Sequence, residues 1–232
     1  LDQAAQFYRK ACDMDGGLGS ATACSNLGRM YEKGQSVEQD YARAVELYRK
    51  ACDLGAGVGC SNLGDAYEKG HGVDRDLDQA AALYRKACDM GTDVAFSNLG
   101  LMYANGLGFT QDEPKAVELF RKSCDMGSGY GCNNLGFMTA YGRGVEQDQA
   151  KGAELYAQAC DKGVGAGCHN LAAAHSRGHG VEQDSAKAAE RYRKACDLEY
   201  ADGCESLGTH YWKGEGVEKD RSKGAELYRK AC

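Results

Sequence analysis

Cysteine recurs in this chain at a fixed interval. Cys52, Cys88, Cys124, Cys160, Cys196 and Cys232 lie 36 residues apart. Cys60, Cys132, Cys168 and Cys204 keep the same interval 8 residues further on, with Phe96 filling the one gap, and Cys12 and Cys24 form a more widely spaced pair ahead of them. Cysteine does three kinds of chemistry: it cross-links, it holds zinc, or it exchanges electrons. A tetrahedral zinc site wants four ligands close together, and each pair here stands alone in its stretch of chain. Thiol redox sites use C-x-x-C at a helix N-terminus, a spacing that does not occur here. Cross-linking remains, and repeated bridges imply an oxidising compartment.

Other candidate chemistry is thin. His175 and His179, four apart, have the best metal spacing, but the first falls in an aromatic column of the repeat and the second in the following loop. No metal and no cofactor is expected. A serine β-lactamase or penicillin-binding site needs Ser-x-x-Lys. No serine has lysine three residues on, and Ser185-Ala186-Lys187 is one residue short. Loops such as Gly142-Arg143-Gly144 lack the Lys-Ser/Thr of a phosphate cradle. No catalytic residue is assigned. A net charge of −6 repels phosphate, so nucleic acid is not expected as a partner. Membrane insertion is not expected either, since no apolar run approaches the roughly 18 residues needed to cross a bilayer. The chain opens at Leu1 and stops at Cys232 in mid-unit, and reads as a fragment or processed form without its targeting segment.

The elements that carry these residues follow from periodicity. Cys60, Leu63, Gly64 and Tyr67 form the i, i+3, i+4, i+7 stripe of a short helix, here called A. Gly70 ends it, because glycine accepts the left-handed conformation just past a last turn. Asp76 caps the next helix, B, which carries Ala80, Leu83, Tyr84, Ala87 and Cys88 on one face. The caps return as Asp40, Asp112, Asp148, Asp184 and Asp220, and the aromatic column as Tyr8, Tyr48, Phe120, Tyr156, Tyr192 and Tyr228. Self-similarity at this period predicts an α-solenoid. It is read as one repeat domain over 1–232, with a leading B helix at 1–14 and six A–B repeats at about 21–54, 58–90, 94–126, 130–162, 166–198 and 202–232. No strand is expected.

The text from Asn62 to Gly91, NLGDAYEKGHGVDRDLDQAAALYRKACDMG, resembles the Sel1-like repeat, a relative of the tetratricopeptide repeat. The paired cysteines resemble its disulfide-rich branch, the Helicobacter cysteine-rich proteins. That resemblance implies a right-handed superhelix, export, and an adaptor or recognition role. Some members of the branch are described as penicillin-binding proteins or weak β-lactamases, so that activity stands as the alternative. Departures from the pattern are the insertion between Cys12 and Cys24, Phe96 in a cysteine column, and Glu199 where glycine is usual.

Antiparallel helices joined by a short loop bring their facing cysteines within disulfide reach. The expected bridges are therefore Cys12–Cys24, Cys52–Cys60, Cys124–Cys132, Cys160–Cys168 and Cys196–Cys204, with Cys88 and Cys232 as free thiols. By tetratricopeptide analogy helix A lines a concave groove. Its asparagine column, including Asn62, Asn98, Asn134 and Asn170, either holds a peptide backbone or braces neighbouring loops. The next columns turn apolar mid-chain, at Leu101, Met102, Phe137, Met138 and Tyr141, with Asn105 in line. Two readings stay open for them: a partner-binding wall, or, for Met102 and Met138, extra core. The resulting expectation is a non-catalytic, monomeric, secreted or periplasmic scaffold that holds a protein or peptide in the groove.

Overall fold

The structure is a computed structural model describing residues 3–14 and 16–231. Among the described residues there are thirteen α-helices and no strand. The leading helix is α1 (Gln3–Cys12). The A helices are α2 (Leu18–Lys33), α4 (Gly57–Lys69), α6 (Asp93–Asn105), α8 (Gly129–Tyr141), α10 (Gly165–Arg177) and α12 (Ala201–Lys213). The B helices that follow them are α3 (Tyr41–Asp53), α5 (Leu77–Asp89), α7 (Glu113–Asp125), α9 (Gln149–Asp161), α11 (Ser185–Asp197) and α13 (Arg221–Ala231).

The expected punctuation is in place. Each cap aspartate accepts from the backbone N–H three residues on: Asp40 from Arg43, Asp76 from Gln79, Asp112 from Lys115, Asp148 from Lys151, Asp184 from Lys187 and Asp220 from Lys223. Such a cap is worth about 1 kcal/mol. The A helices end on left-handed glycines from Gly34 to Gly214, with φ between 64° and 80°. They begin earlier than the cysteine stripe suggests: α4 starts at Gly57, ahead of Cys60, and α8 at Gly129, ahead of Cys132.

The chain divides into two compact units, residues 1–111 and 112–232. Within each unit every helix packs on its sequence neighbours. Successive A helices also pack on each other, α2 on α4 and α4 on α6 in the first unit, α8 on α10 and α10 on α12 in the second. Successive B helices approach less closely, touching through side chains such as Lys194 of α11 and Asp161 of α9 at 3.4 Å, so each unit curves with its A helices on the inside.

Small residues set the spacing of these helices. Ala51, Ala87, Ser123, Ala159 and Ala195 are fully buried. A Cβ added at Gly59 would lie 2.6 Å from that of Ala51, and one at Gly203 would lie 2.5 Å from that of Ala195. No larger residue fits there, and that close approach brings the cysteines together. All five expected bridges are present, Cys12–Cys24, Cys52–Cys60, Cys124–Cys132, Cys160–Cys168 and Cys196–Cys204, with Cα separations of 4.4–4.7 Å. Cys88 lies half-buried outside these bridges, and Cys232 lies outside the described residues.

Polar contacts stitch the repeats. The guanidinium of Arg49 donates to the Tyr67 hydroxyl at 3.0 Å, and that of Arg193 to Tyr211 at 2.8 Å, each joining a B helix to the next A helix. Buried Tyr84 donates its hydroxyl to the Glu68 carboxylate at 2.8 Å, so burial and that carboxylate push its ionisation far above the ordinary range.

Candidate recognition surface

The inner face of each A helix is a stripe at i, i+4, i+7 and i+11. In α4 it reads Val58, Asn62, Asp65 and Lys69; in α6, Val94, Asn98, Leu101 and Asn105. In α8 it reads Tyr130, Asn134, Phe137 and Tyr141, and in α10, Ala166, Asn170, Ala173 and Arg177.

Two residues expected on this wall are not on it. Met102 is 0% exposed and Met138 2% exposed. Their helix position faces packed neighbours rather than solvent: in α4 and α10 it holds Ala66 and Ala174, which are buried too. Both methionines belong to the core.

Three of the asparagines brace successive A helices. The amide nitrogen of Asn62 donates to Ser25 Oγ at 3.3 Å, that of Asn98 to Ser61 Oγ at 3.5 Å, and that of Asn170 to Asn133 Oδ1 at 2.9 Å. Asn134 accepts from the amide of Asn133 at 3.4 Å. These four asparagines are half-buried, which leaves part of each amide on the wall.

The other residues expected on the wall, Leu101, Asn105, Phe137 and Tyr141, are exposed and separate by unit. Leu101 and Asn105 lie on α6 in the first unit. In the second, Phe137 and Tyr141 pack with ring centroids 4.8 Å apart and planes tilted by 45°, and Tyr141 is 56% exposed. Arg143 sits over the Phe137 ring at 5.8 Å while paired with Glu113 on α7 at 2.6 Å. Tyr130, 62% exposed, extends the stripe by two turns. Sequence reasoning missed it, because its column elsewhere holds Val58, Val94 and Ala166. Its signal is the earlier helix start, which puts it seven residues before Phe137 on the same face. Apolar side chains turned from a core in this way mark contact surfaces.

The other candidate groups have structural partners. Ser185 opens α11, where Asp184 caps the helix and also pairs with Lys187 Nζ at 3.4 Å. Nδ1 of His175 lies 3.4 Å from the Glu182 carbonyl. His169 sits between the rings of Tyr192 and Tyr200, at 5.3 and 5.5 Å, with Nε2 3.3 Å from Ser206 Oγ on α12. Burial holds its pKa below the ordinary histidine value. Among the described residues no three His, Cys, Asp or Glu side chains are grouped to hold a metal, and no helix is long and apolar enough to cross a membrane.

Among the described residues, thirteen helices in repeated, disulfide-clamped hairpins define an all-α repeat solenoid, a fold that typically mediates protein interactions. The Sel1 repeat pattern matches residues 1–16, 21–55, 57–92, 97–128, 129–164, 165–200 and 201–232, and the chain belongs to that family, in a disulfide-bonded, cysteine-rich form. Among solved structures, c5321, a protective antigen of uropathogenic Escherichia coli displaying an SLR fold, is 31% identical with a TM-score of 0.73. The match covers 100% of this chain and 48% of that one, so this chain spans about half of its length. A Sel1 repeat protein from Oxalobacter formigenes is 27% identical with a TM-score of 0.80, over 91% of this chain and 86% of that one. Helicobacter pylori cysteine rich protein B is 33% identical over 56% of this chain and 90% of that one, with a TM-score of 0.43. No curated protein matches the chain.

Proposed function

We propose that this protein is a non-catalytic recognition scaffold, monomeric and either periplasmic or secreted, that holds a protein or peptide on its A-helix wall. The observation that carries this reading is the exposed aromatic stripe of α8. Tyr130, Phe137 and Tyr141 expend apolar surface on solvent in a helix whose other apolar residues are packed. Large rigid aromatics give much contact area for little ordering entropy, which suits them to protein contacts. The five bridges support the compartment, since such bonds persist only where thiols are oxidised.

The test is capture under non-reducing conditions from the periplasmic and culture fractions of the source organism. Wild-type protein retains a partner. The double variant Phe137→Ala/Tyr141→Ala retains at least about tenfold less, as expected when two central aromatic anchors are truncated, with an unchanged melting temperature. Equal capture would remove the reading. Loss of capture together with stability would make those residues core.

A further inference from the structure

A cleft in the second unit adjoins the aromatic stripe, and its chemistry deepens the recognition reading on which this inference rests. Tyr141 of α8 forms one side, Ala173 and Ala174 of α10 line it, Tyr156 of α9 lies at its base, and Arg177 and His179 stand at its rim. None of its lining residues is acidic, although the chain as a whole carries a net charge of −6.

One substitution within the repeat produces this character. At the last turn of the A helices, Lys69 is neutralised by Asp65, four residues before it, at 2.8 Å, and Lys213 by Glu215 at 3.6 Å. In α10 the residue four before Arg177 is Ala173. The alanine withdraws both the bulk that Phe137 and Leu101 supply in neighbouring repeats and the carboxylate that Asp65 supplies in α4. Arg177 is exposed and forms no hydrogen bond or ion pair among the described residues. An unpaired guanidinium beside a cleft whose lining carries no acidic group is a fork-shaped donor set matched to a carboxylate.

The size of the surface indicates what kind of molecule brings that carboxylate. From Tyr130 to Tyr141 the stripe rises about 16 Å at 1.5 Å per residue. An extended peptide covers that in about five residues, whereas a small metabolite covers only a part. We propose that the α8–α10 surface takes an extended segment of a protein partner. In it, a large apolar side chain packs on the Phe137 and Tyr141 rings, and an adjacent aspartate or glutamate pairs with Arg177.

The experiment is selection from a displayed random peptide library on the oxidised chain of residues 1–232, run in parallel on Arg177→Glu and on Phe137→Ala/Tyr141→Ala. Circular dichroism melts confirm that all three proteins fold. Wild type is expected to enrich segments with an acidic residue next to an aromatic or large aliphatic one. Arg177→Glu should instead enrich basic residues at that place, and the double variant should enrich neither. Arg177→Gln should weaken a selected peptide about tenfold, the usual weight of one charge-assisted pair. Enriched peptides without acidic bias, or the same set on Arg177→Glu, would overturn the carboxylate assignment and leave the recognition reading standing. Peptides selected equally by the double variant would place recognition elsewhere and overturn the proposed surface. No enrichment on wild type would overturn both.

Discussion

Glu199 occupies the backbone position that Gly55, Gly91, Gly127 and Gly163 hold after the earlier B helices, and it takes their left-handed conformation with φ of 59°. A side chain with a Cβ is disfavoured there by about 1–2 kcal/mol, while replacing it with glycine frees the unfolded chain and returns part of that gain. Glu199→Gly is therefore expected to stabilise the protein by about 0.5–1 kcal/mol, read as a higher melting temperature, and Glu199→Ala is expected to leave it unchanged. A lower melting temperature for the glycine variant would mean that the glutamate makes a contact that outweighs the strain. The departure at Glu199 is legible in the sequence because the repeat supplies its own reference column. Met102 and Met138 show where such a column fails. A residue turned from the stapled face of helix A can face either solvent or the next A helix, and polarity does not separate those two directions when the neighbour is itself apolar.

At the scale of elements, the helices, caps and bridges were legible because each is fixed by residues a few positions apart, repeated several times over. What was not legible is the contact between α10 and α12, which joins residues 37 apart: His169 reaches Ser206 there. That junction titrates. The unfolded histidine has an ordinary pKa near 6.5, whereas burial lowers it in the fold. Asp202, Glu205 and a hydrogen bond to Asn170 oppose the shift, and Arg177 adds to it. Because the folded chain holds its proton less tightly, this contribution to stability is complete above about pH 6.5 and is lost as the pH falls toward the lowered value. Wild-type melting temperature should drop below pH 6.5 more steeply than that of His169→Asn, which can still reach Ser206 but does not titrate. Parallel curves would mean that the ring is solvated in the folded protein.

At the scale of the molecule, stability in a repeat protein is close to a sum of unit terms and neighbour terms. Each of the four bridges between cysteines 8 residues apart adds to its own hairpin, about 2.6 kcal/mol in the chain-entropy account, so cohesion is local. The two compact units meet in the chain at Gln111 and Asp112. The aromatic stripe of α8, the cleft beside it and three of the five bridges all lie in residues 112–232. The expected behaviour is that residues 112–232, expressed alone and oxidised, unfold cooperatively. That unit should also bind peptides selected on residues 1–232 within about threefold of the affinity of that longer chain, since interface contacts left in place keep their energy. Residues 1–111 alone should fold and not bind them. A helical, cooperative second unit with no affinity would show that the first unit contributes to the partner contact. A second unit lacking a cooperative melt would show that its own bridges and helix contacts do not suffice to hold it together.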